Sequence, residues 1–417
     1  MRMNDMKKRH LFSSGEILLL IVLMLSFMDF RLYSLHLMVL ALVFFCFLKR
    51  RLYLPNGVLP LVIFTVALFV FWPASFFSPT ALAKRLVWPT AFLLGYNLIL
   101  PETNDPHSVE KAEDKANIYI FLAAAGFFIH LALNLYMNVG QVVEDRNTLD
   151  FWSMQRRAAT GQAALACVPL AWGSAYMVKE ASFSKKVLVL LGIGMVMYYN
   201  LILGNRTMVL SFGIVIATAI LYLLSYRGMT KKSKAMIGFV IIAIAVAALY
   251  SGDVWGIRSA VQDSVLFDRL TEKSDMGIGS DPRWRAKLNY IKLMPQYLFG
   301  GMHIREAVNS YAHDVLLDTY DEVGIFGFAA VVAVLWDGIS KLRLLLRSRQ
   351  VKYDTKVTLL CIYVSIFITF ALEPIFAGVP WLLMTYCFLH GIVTGLVKTS
   401  ALMKRKQLHN QANAPAH

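Results

Sequence analysis

Charge is what this chain has least of. Only 16% of its 417 residues are Asp, Glu, Lys or Arg, where a soluble domain carries about a quarter. That excludes an ordinary water-soluble globule. Cysteine is also scarce: Cys46, Cys167, Cys361 and Cys387 all fall inside apolar runs, with no metal-knuckle spacing, so the expectation is buried thiols and no disulfide. No P-loop, GxSxG elbow, HExxH helix or Asp-x-Asp pair occurs, which removes the usual residue sets for nucleotide hydrolysis, serine hydrolysis and metal-assisted transfer. No small-residue cleavage site follows the basic start MRMNDMKKRH, so a removable signal peptide is not expected.

What fills the chain instead is hydrophobic sequence, 58% of it. The runs lie near 16–30, 32–48, 57–73, 83–100, 116–138, 162–178, 185–203, 205–225, 235–250, 314–336, 354–372 and 378–397. Most are long enough for a hydrocarbon core of about 30 Å. The expected fold is therefore an all-α membrane protein of about twelve transmembrane helices. Helices 1–9 occupy residues 1–250, a polar segment with short amphipathic helices spans 251–313, helices 10–12 occupy 314–397, and a tail follows over 398–417.

The net charge of +15 points away from nucleic acid once its distribution is read. Lys7, Lys8 and Arg9, then Lys49 to Arg51, Lys179 with Lys185 and Lys186, Arg227 to Lys234, Lys341 to Lys356, and Lys404 to Lys406 all fall on one side of a twelve-span chain. Positive residues mark the cytoplasmic side. Both termini are then inside, and the links at 139–161, 200–206, 251–313 and 373–377 face the periplasm. The link PETNDPHSVEKAEDK at 101–115 disagrees, being acidic on the cytoplasmic side.

Arginines on the far side need a reason. Arg206 lies in LILGNRTMVLS at membrane level, where a charge is costly unless it is paired or lines a wet cavity. It reads either as a snorkelling anchor or as an anion clamp, arginine's planar fork being suited to a diphosphate. The segment SDPRWRAKLNYIKLM reads as a helix start, with Ser280 or Asp281 as cap and Pro282 in the first turn, so Arg283 and Arg285 sit where phosphate is readily held.

The next helix opens within NSYAHDVLLDTYDEVGIFG. Uncharged apolar sequence runs only from Val323 to Trp336, about 21 Å at about 1.5 Å per residue, so the helix is expected to include the two turns before it. Asp314, Asp318, Asp321 and Glu322 then share an arc of roughly 100°, and the stripe faces either structural arginines or a cavity for a hydroxylated substrate. His313 is expected in the first turn with Ser310 as N-cap, where it is either structural or a base that takes a proton from a sugar hydroxyl.

Taken together, Arg157 with Gly161 in RRAATGQAALA, Arg206 in GNRT, Arg283 in DPRWRAKLNY followed by LFGGM, and His313 with Glu322 and Gly324 in HDVLLDTYDEVGIFG resemble the bacterial O-antigen ligase and O-antigen polymerase family of integral-membrane glycosyltransferases. The likeness is sharp from about Arg157 to Phe326. It departs at Asp314, where the family commonly has asparagine, and in the spacing from Arg283 to LFGG, which leaves Arg285 as an alternative counterpart. The resemblance implies a helical bundle of the membrane glycosyltransferase type in the bacterial inner membrane. The donor would be a glycan on undecaprenyl diphosphate, with Arg157, Arg206, Arg283 and Arg285 holding the diphosphate. His313 would be the base, and Asp314, Asp318 and Glu322 would face the acceptor. No metal or nucleotide cofactor is implied. The acceptor would be lipid A-core for a ligase, or a second lipid-linked repeat for a polymerase. A twelve-span transporter is the reading from another class, disfavoured by a short central link and an off-centre polar segment.

Overall fold

The computed structural model describes residues 13–30, 33–72, 78–101, 108–140, 147–225, 251–253, 257–264, 266–267 and 282–412. In order, the main elements are α1 (Ser14–Phe27), α2 (Ser34–Lys49), α3 (Leu59–Phe71), α4 (Pro79–Ile99), α5 (Ser108–Asn138), β1 (Asn147–Leu149), β2 (Arg156–Ala158), α6 (Ala159–Ala164), α7 (Cys167–Met177), α8 (Phe183–Leu203), α9 (Arg206–Ser225), α10 (Ile257–Gln262), α11 (Pro282–Leu293), α12 (His303–Val308), α13 (Val315–Arg347), α14 (Tyr353–Leu372), α15 (Ile375–Gly378) and α16 (Pro380–Ala412). Among the described residues the protein is all-α apart from one antiparallel pair in which Thr148 faces Arg157.

Among the described residues six helices are long and apolar enough to cross a membrane: α5, α8, α9, α13, α14 and residues Pro380–Arg405 of α16. Twelve was the expectation, and the shortfall has local causes. α1, α2 and α3 contain 14, 16 and 13 residues, below the roughly 20 that a perpendicular span needs. The run at 162–178 is divided between α6 and α7. The run expected at 235–250 lies outside the described residues. α4 has 21 residues, but it carries Lys84 and Arg85 and is a core helix, buried at 14 positions.

The tightest packing in the core is α4 against α16. A Cβ on Gly95 would stand 2.1 Å from the Phe388 carbonyl oxygen, and one on Gly391 would stand 2.1 Å from that of Phe92. Only glycine permits this approach, which is how apolar helices associate where lipid removes the hydrophobic driving force. Cys167, Cys361 and Cys387 are buried and unbridged; Cys46 is free and half-buried.

Chain reversals collect polar groups at two ends. At one end Glu16 pairs with Lys49 at 2.9 Å and Lys115 at 3.6 Å, Lys352 pairs with Glu110 at 3.1 Å, and the Lys352 N–H donates to Glu113 at 2.6 Å. The acidic link that disagreed with the charge rule therefore neutralises the basic link between α13 and α14. At the other end lie the α1–α2 turn, the β-pair, the start of α9, and α11 through Asp314.

Candidate functional site

α11 begins at Pro282, whose ring fixes a helical φ and whose missing N–H costs nothing in a first turn; the expected caps Ser280 and Asp281 lie outside the described residues. Its inner face buries Ala286 and Tyr290. Tyr290 joins Ile304, Ala312 and Tyr320 in a second, small core separate from the main one. The Tyr290 hydroxyl donates to the Ser310 carbonyl at 2.8 Å, and that of Tyr320 to Met294 at 2.7 Å. This core fixes the segment on which His313 sits.

His313 stands just outside α13 rather than in its first turn. The N-cap is Asp314, whose carboxylate accepts from the N–H groups of Leu316 at 2.9 Å and Leu317 at 3.3 Å. Ser310, the expected cap, turns its hydroxyl to the Tyr311 carbonyl instead. A charged cap is favoured at the positive end of a helix. His313 has a left-handed backbone, φ 51°. Its Nδ1 is buried with no hydrogen-bond partner among the described residues. Burial first, then the positive charges of Arg283 and Lys287, pull its pKa down to about 4. The imidazole is therefore neutral near pH 7. Asp314 does not counter this, being engaged by the cap and by Lys287 at 3.6 Å.

Arg283 and Lys287, one turn apart on α11, reach the C-terminal end of α14. Arg283 Nη1 donates to the Leu372 carbonyl at 3.1 Å and to Glu373 Oε1 at 3.4 Å; Lys287 Nζ donates to the Ala371 carbonyl at 2.5 Å. Cations belong there, because the last helical carbonyls are unsatisfied and carry the negative end of the dipole. Glu373 is fully buried and also accepts from Thr207 at 2.8 Å. Thr207 follows Arg206, the first residue of α9, so the GNRT motif and Arg283 meet at the α14–α15 link, with His313 close enough to feel the charges of Arg283 and Lys287. Arg285 does not join them. It is exposed, about 200° from Arg283 around the helix at 100° per residue.

The carboxylate stripe splits in two. Asp314 goes with Lys287, whereas Asp318, Asp321 and Glu322 converge on Arg305 at 3.6, 3.2 and 2.8 Å. Burial of that guanidinium opposes its charge, but Glu322, Asp318 and Asp321 outweigh it and hold its pKa above the ordinary value. The same region carries a backbone interlock. α13 breaks at Gly324, φ 78° and ψ −165°, so the turns that hold the carboxylates are not continuous with the apolar helix as expected. The N–H of Ile325 freed by the break donates to the Leu298 carbonyl at 2.9 Å, and that of Met302 donates to the Asp321 carbonyl at 2.8 Å. Gly300 has φ 77°, and a Cβ on it would stand 2.6 Å from the Gly324 nitrogen. Gly300→Ala is accordingly expected to lower the thermal unfolding temperature of the detergent-solubilised protein. The positive φ alone costs about 1–3 kcal/mol, before the backbone clash. An unchanged melting curve would show that the interlock is loose.

Arg157 lies in a different cluster. Its Nη1 pairs with Asp29 at 2.7 Å and with Asp150 at 3.6 Å, and its guanidinium lies 5.4 Å from the Trp381 ring centre. His130 presents its two ring nitrogens to the Met28 carbonyl at 2.6 Å and to Asp150 at 3.0 Å. These contacts tie the α1–α2 turn, α5 and the β-pair together. Residues that sequence reading missed are Thr207, Lys287, Arg305 and Glu373. Glu373 had a usable signal: it is a lone carboxylate in LEPIF between two apolar runs, where ionisable residues demand an explanation.

Among the described residues no group of three or more His, Cys, Asp or Glu side chains is arranged to hold a metal ion. No family model matches the chain, and no curated protein matches it significantly.

Proposed function

We propose that this protein transfers a glycan from undecaprenyl diphosphate to an acceptor hydroxyl at the outer face of a bacterial inner membrane, as an O-antigen ligase acting on lipid A-core. In this reading the shorter helices α1–α3, the core helix α4, the α6–α7 pair and the run at 235–250 also cross the bilayer inside the bundle, making twelve spans, with both termini in the cytoplasm and the α11–His313 end in the periplasm. The observation that carries the reading is a half-buried histidine with an unpartnered ring nitrogen, held near two cations seated on the end of α14. The arrangement provides a proton acceptor and an anion site within one polar cluster.

The chemistry follows from those parts. Arg283, with Arg206 one residue from Thr207, holds the diphosphate and neutralises the charge that grows on it as it leaves. His313 accepts the proton of the acceptor hydroxyl. The acceptor oxygen bonds to the anomeric carbon as the bond from that carbon to the diphosphate oxygen breaks, with inversion, and undecaprenyl diphosphate departs. Arg157, bound by Asp29 and Asp150, is assigned to holding the β-pair. Arg285 faces away and has no role in the transfer. Asp318 and Glu322, bridged by Arg305, shape the wall that the acceptor sugar meets.

The test is transfer by the purified full chain in proteoliposomes supplied with lipid-linked glycan and lipid A-core. Glycan attached to core supports ligation. Elongated lipid-linked glycan would make the protein a polymerase, and no product with either acceptor would remove the transferase reading. Sidedness is tested separately: Ala307→Cys should react with a membrane-impermeant maleimide in intact spheroplasts, and Arg349→Cys should not. The reverse pattern would place the site in the cytoplasm, away from a periplasmic acceptor.

A further inference from the structure

The outward face of α11 is apolar and uncovered. Trp284, Leu288 and Ile291 are 53%, 41% and 53% exposed. At 100° per residue they fall within an arc of about 60°. Soluble surfaces seldom concentrate large apolar side chains on one helical stripe, and such a stripe marks an interaction site. The rest of the helix is arranged by charge. Exposed Lys292 and Arg285 flank the stripe on one side, and on the other lie Lys287 and Arg283, which hold the end of α14.

Three observations place this face relative to the apolar surface of the bundle. Arg283 and Lys287 bond to the last carbonyls of α14, so α11 lies level with the end of a helix long and apolar enough to span. Leu298 and Phe299, which follow α11 in the chain, are also exposed, 47% and 59%. Leu298 accepts the N–H of Ile325 at the point where α13 resumes after Gly324. Phe299 stacks on Phe71 at the end of α3, 5.5 Å between centroids, and Phe71 stacks on the exposed Phe326 of α13 at 5.7 Å. The segment that leaves α11 is thus tied, through an aromatic stack, to the exposed apolar surface of helices that the same bilayer must cover, and this holds the α11 face beside that surface.

We infer that α11 is an in-plane membrane helix: its Trp284–Leu288–Ile291 face lies in the headgroup–acyl boundary of the bilayer that the bundle spans, with Arg285 and Lys292 against anionic headgroups. A short helix with an apolar stripe, cationic flanks and a tryptophan is what that boundary selects. The inference needs only the membrane character of the bundle, not the transferase reading. It also adds to that reading, since Arg283 then sits at the depth of lipid phosphates, where the diphosphate of a lipid-anchored donor lies.

The experiment uses the full chain in vesicles of 3:1 phosphatidylcholine to phosphatidylglycerol whose acyl chains carry bromine at the 6,7, 9,10 or 11,12 positions. The chain has eight tryptophans, so the Trp284 signal is read as the difference between the native chain and Trp284→Phe, a substitution mild enough to preserve the fold. The expected result is that the difference signal is quenched most by 6,7-bromines, at least twofold more than by 11,12-bromines, and little by aqueous iodide. A difference signal quenched by iodide and by no bromolipid would overturn the inference, since the face would be in water. Quenching by neither would also overturn it, because a second protein copy would then cover the face. A spin label at Leu288→Cys gives an independent reading: collision with dissolved oxygen should exceed collision with a water-soluble nickel chelate. The opposite order excludes a lipid-facing position.

Discussion

Replacing His313 with alanine is expected to lower glycan transfer by about 10²–10⁴-fold, the usual contribution of a positioned general base, with donor binding and the melting temperature little changed. The side chain lies outside α13 and caps nothing; Asp314 does that. Replacement by lysine or arginine should not restore activity, because a fixed cation cannot accept a proton. The pH profile discriminates further. Burial, then Arg283 and Lys287, lowers the pKa to about 4. A group with a depressed pKa keeps its base form at every pH above that value and loses it only as pH falls through it. The profile of kcat/KM, which reports the free enzyme, should therefore be flat from pH 5 to 8 and fall as pH approaches 4. An unperturbed histidine would already be losing activity near 6.5. On the proposed reading a bound diphosphate would add negative charge beside the ring, so the acid limb of kcat should lie higher than that of kcat/KM. Substantial transfer by His313→Lys, or a profile that rises toward acid, would remove the base assignment.

The sequence was informative wherever structure is set by neighbours along the chain. The α11 helix was legible because Pro282 and apolar residues at helical spacing act within one element. The long spans were legible because unbroken apolar runs of sufficient length have few other folded states. Contacts between distant residues were not legible. Glu373 meets Thr207 and Arg283, which are 166 and 90 residues away, and no local pattern encodes that. The break at Gly324 is of the same kind. A glycine in an apolar run is ordinary, and only the approach of Leu298 to Gly301 from outside explains why this one leaves the helix. The position of His313 turns on the cap, since Ser310 and Asp314 are both competent caps four positions apart and the helix takes Asp314. The tertiary pull of Lys287 on Asp314 and of Tyr290 on the Ser310 carbonyl favours the later one.

Arg283→Lys is expected to reduce transfer by about 10²–10³-fold, or about 3–4 kcal/mol of transition-state stabilisation, even though the charge is kept. Arg283 already spends Nη1 on the Leu372 carbonyl and Glu373. Arginine's five donors in a planar fork can anchor to the protein and still meet a second anion, whereas an ammonium is a single point of charge on a shorter stem. Arg285→Lys is the matched control: it makes the same chemical change two residues away on the outer side of α11, and it should alter the rate by no more than about twofold. The contrast decides which arginine faces the diphosphate, a choice that sequence spacing alone leaves open. Glu373→Gln should fall between the two. It keeps an acceptor for Thr207 but removes the charge that holds Arg283, so the guanidinium loses orientation rather than presence, and a loss nearer tenfold is expected, the equivalent of about 1.4 kcal/mol. The readout is initial rate at saturating donor, together with donor affinity and melting temperature for each variant. If Arg283→Lys and Arg285→Lys are equally active at equal protein levels, Arg283 is a fastener between α11 and α14 and the diphosphate is held elsewhere.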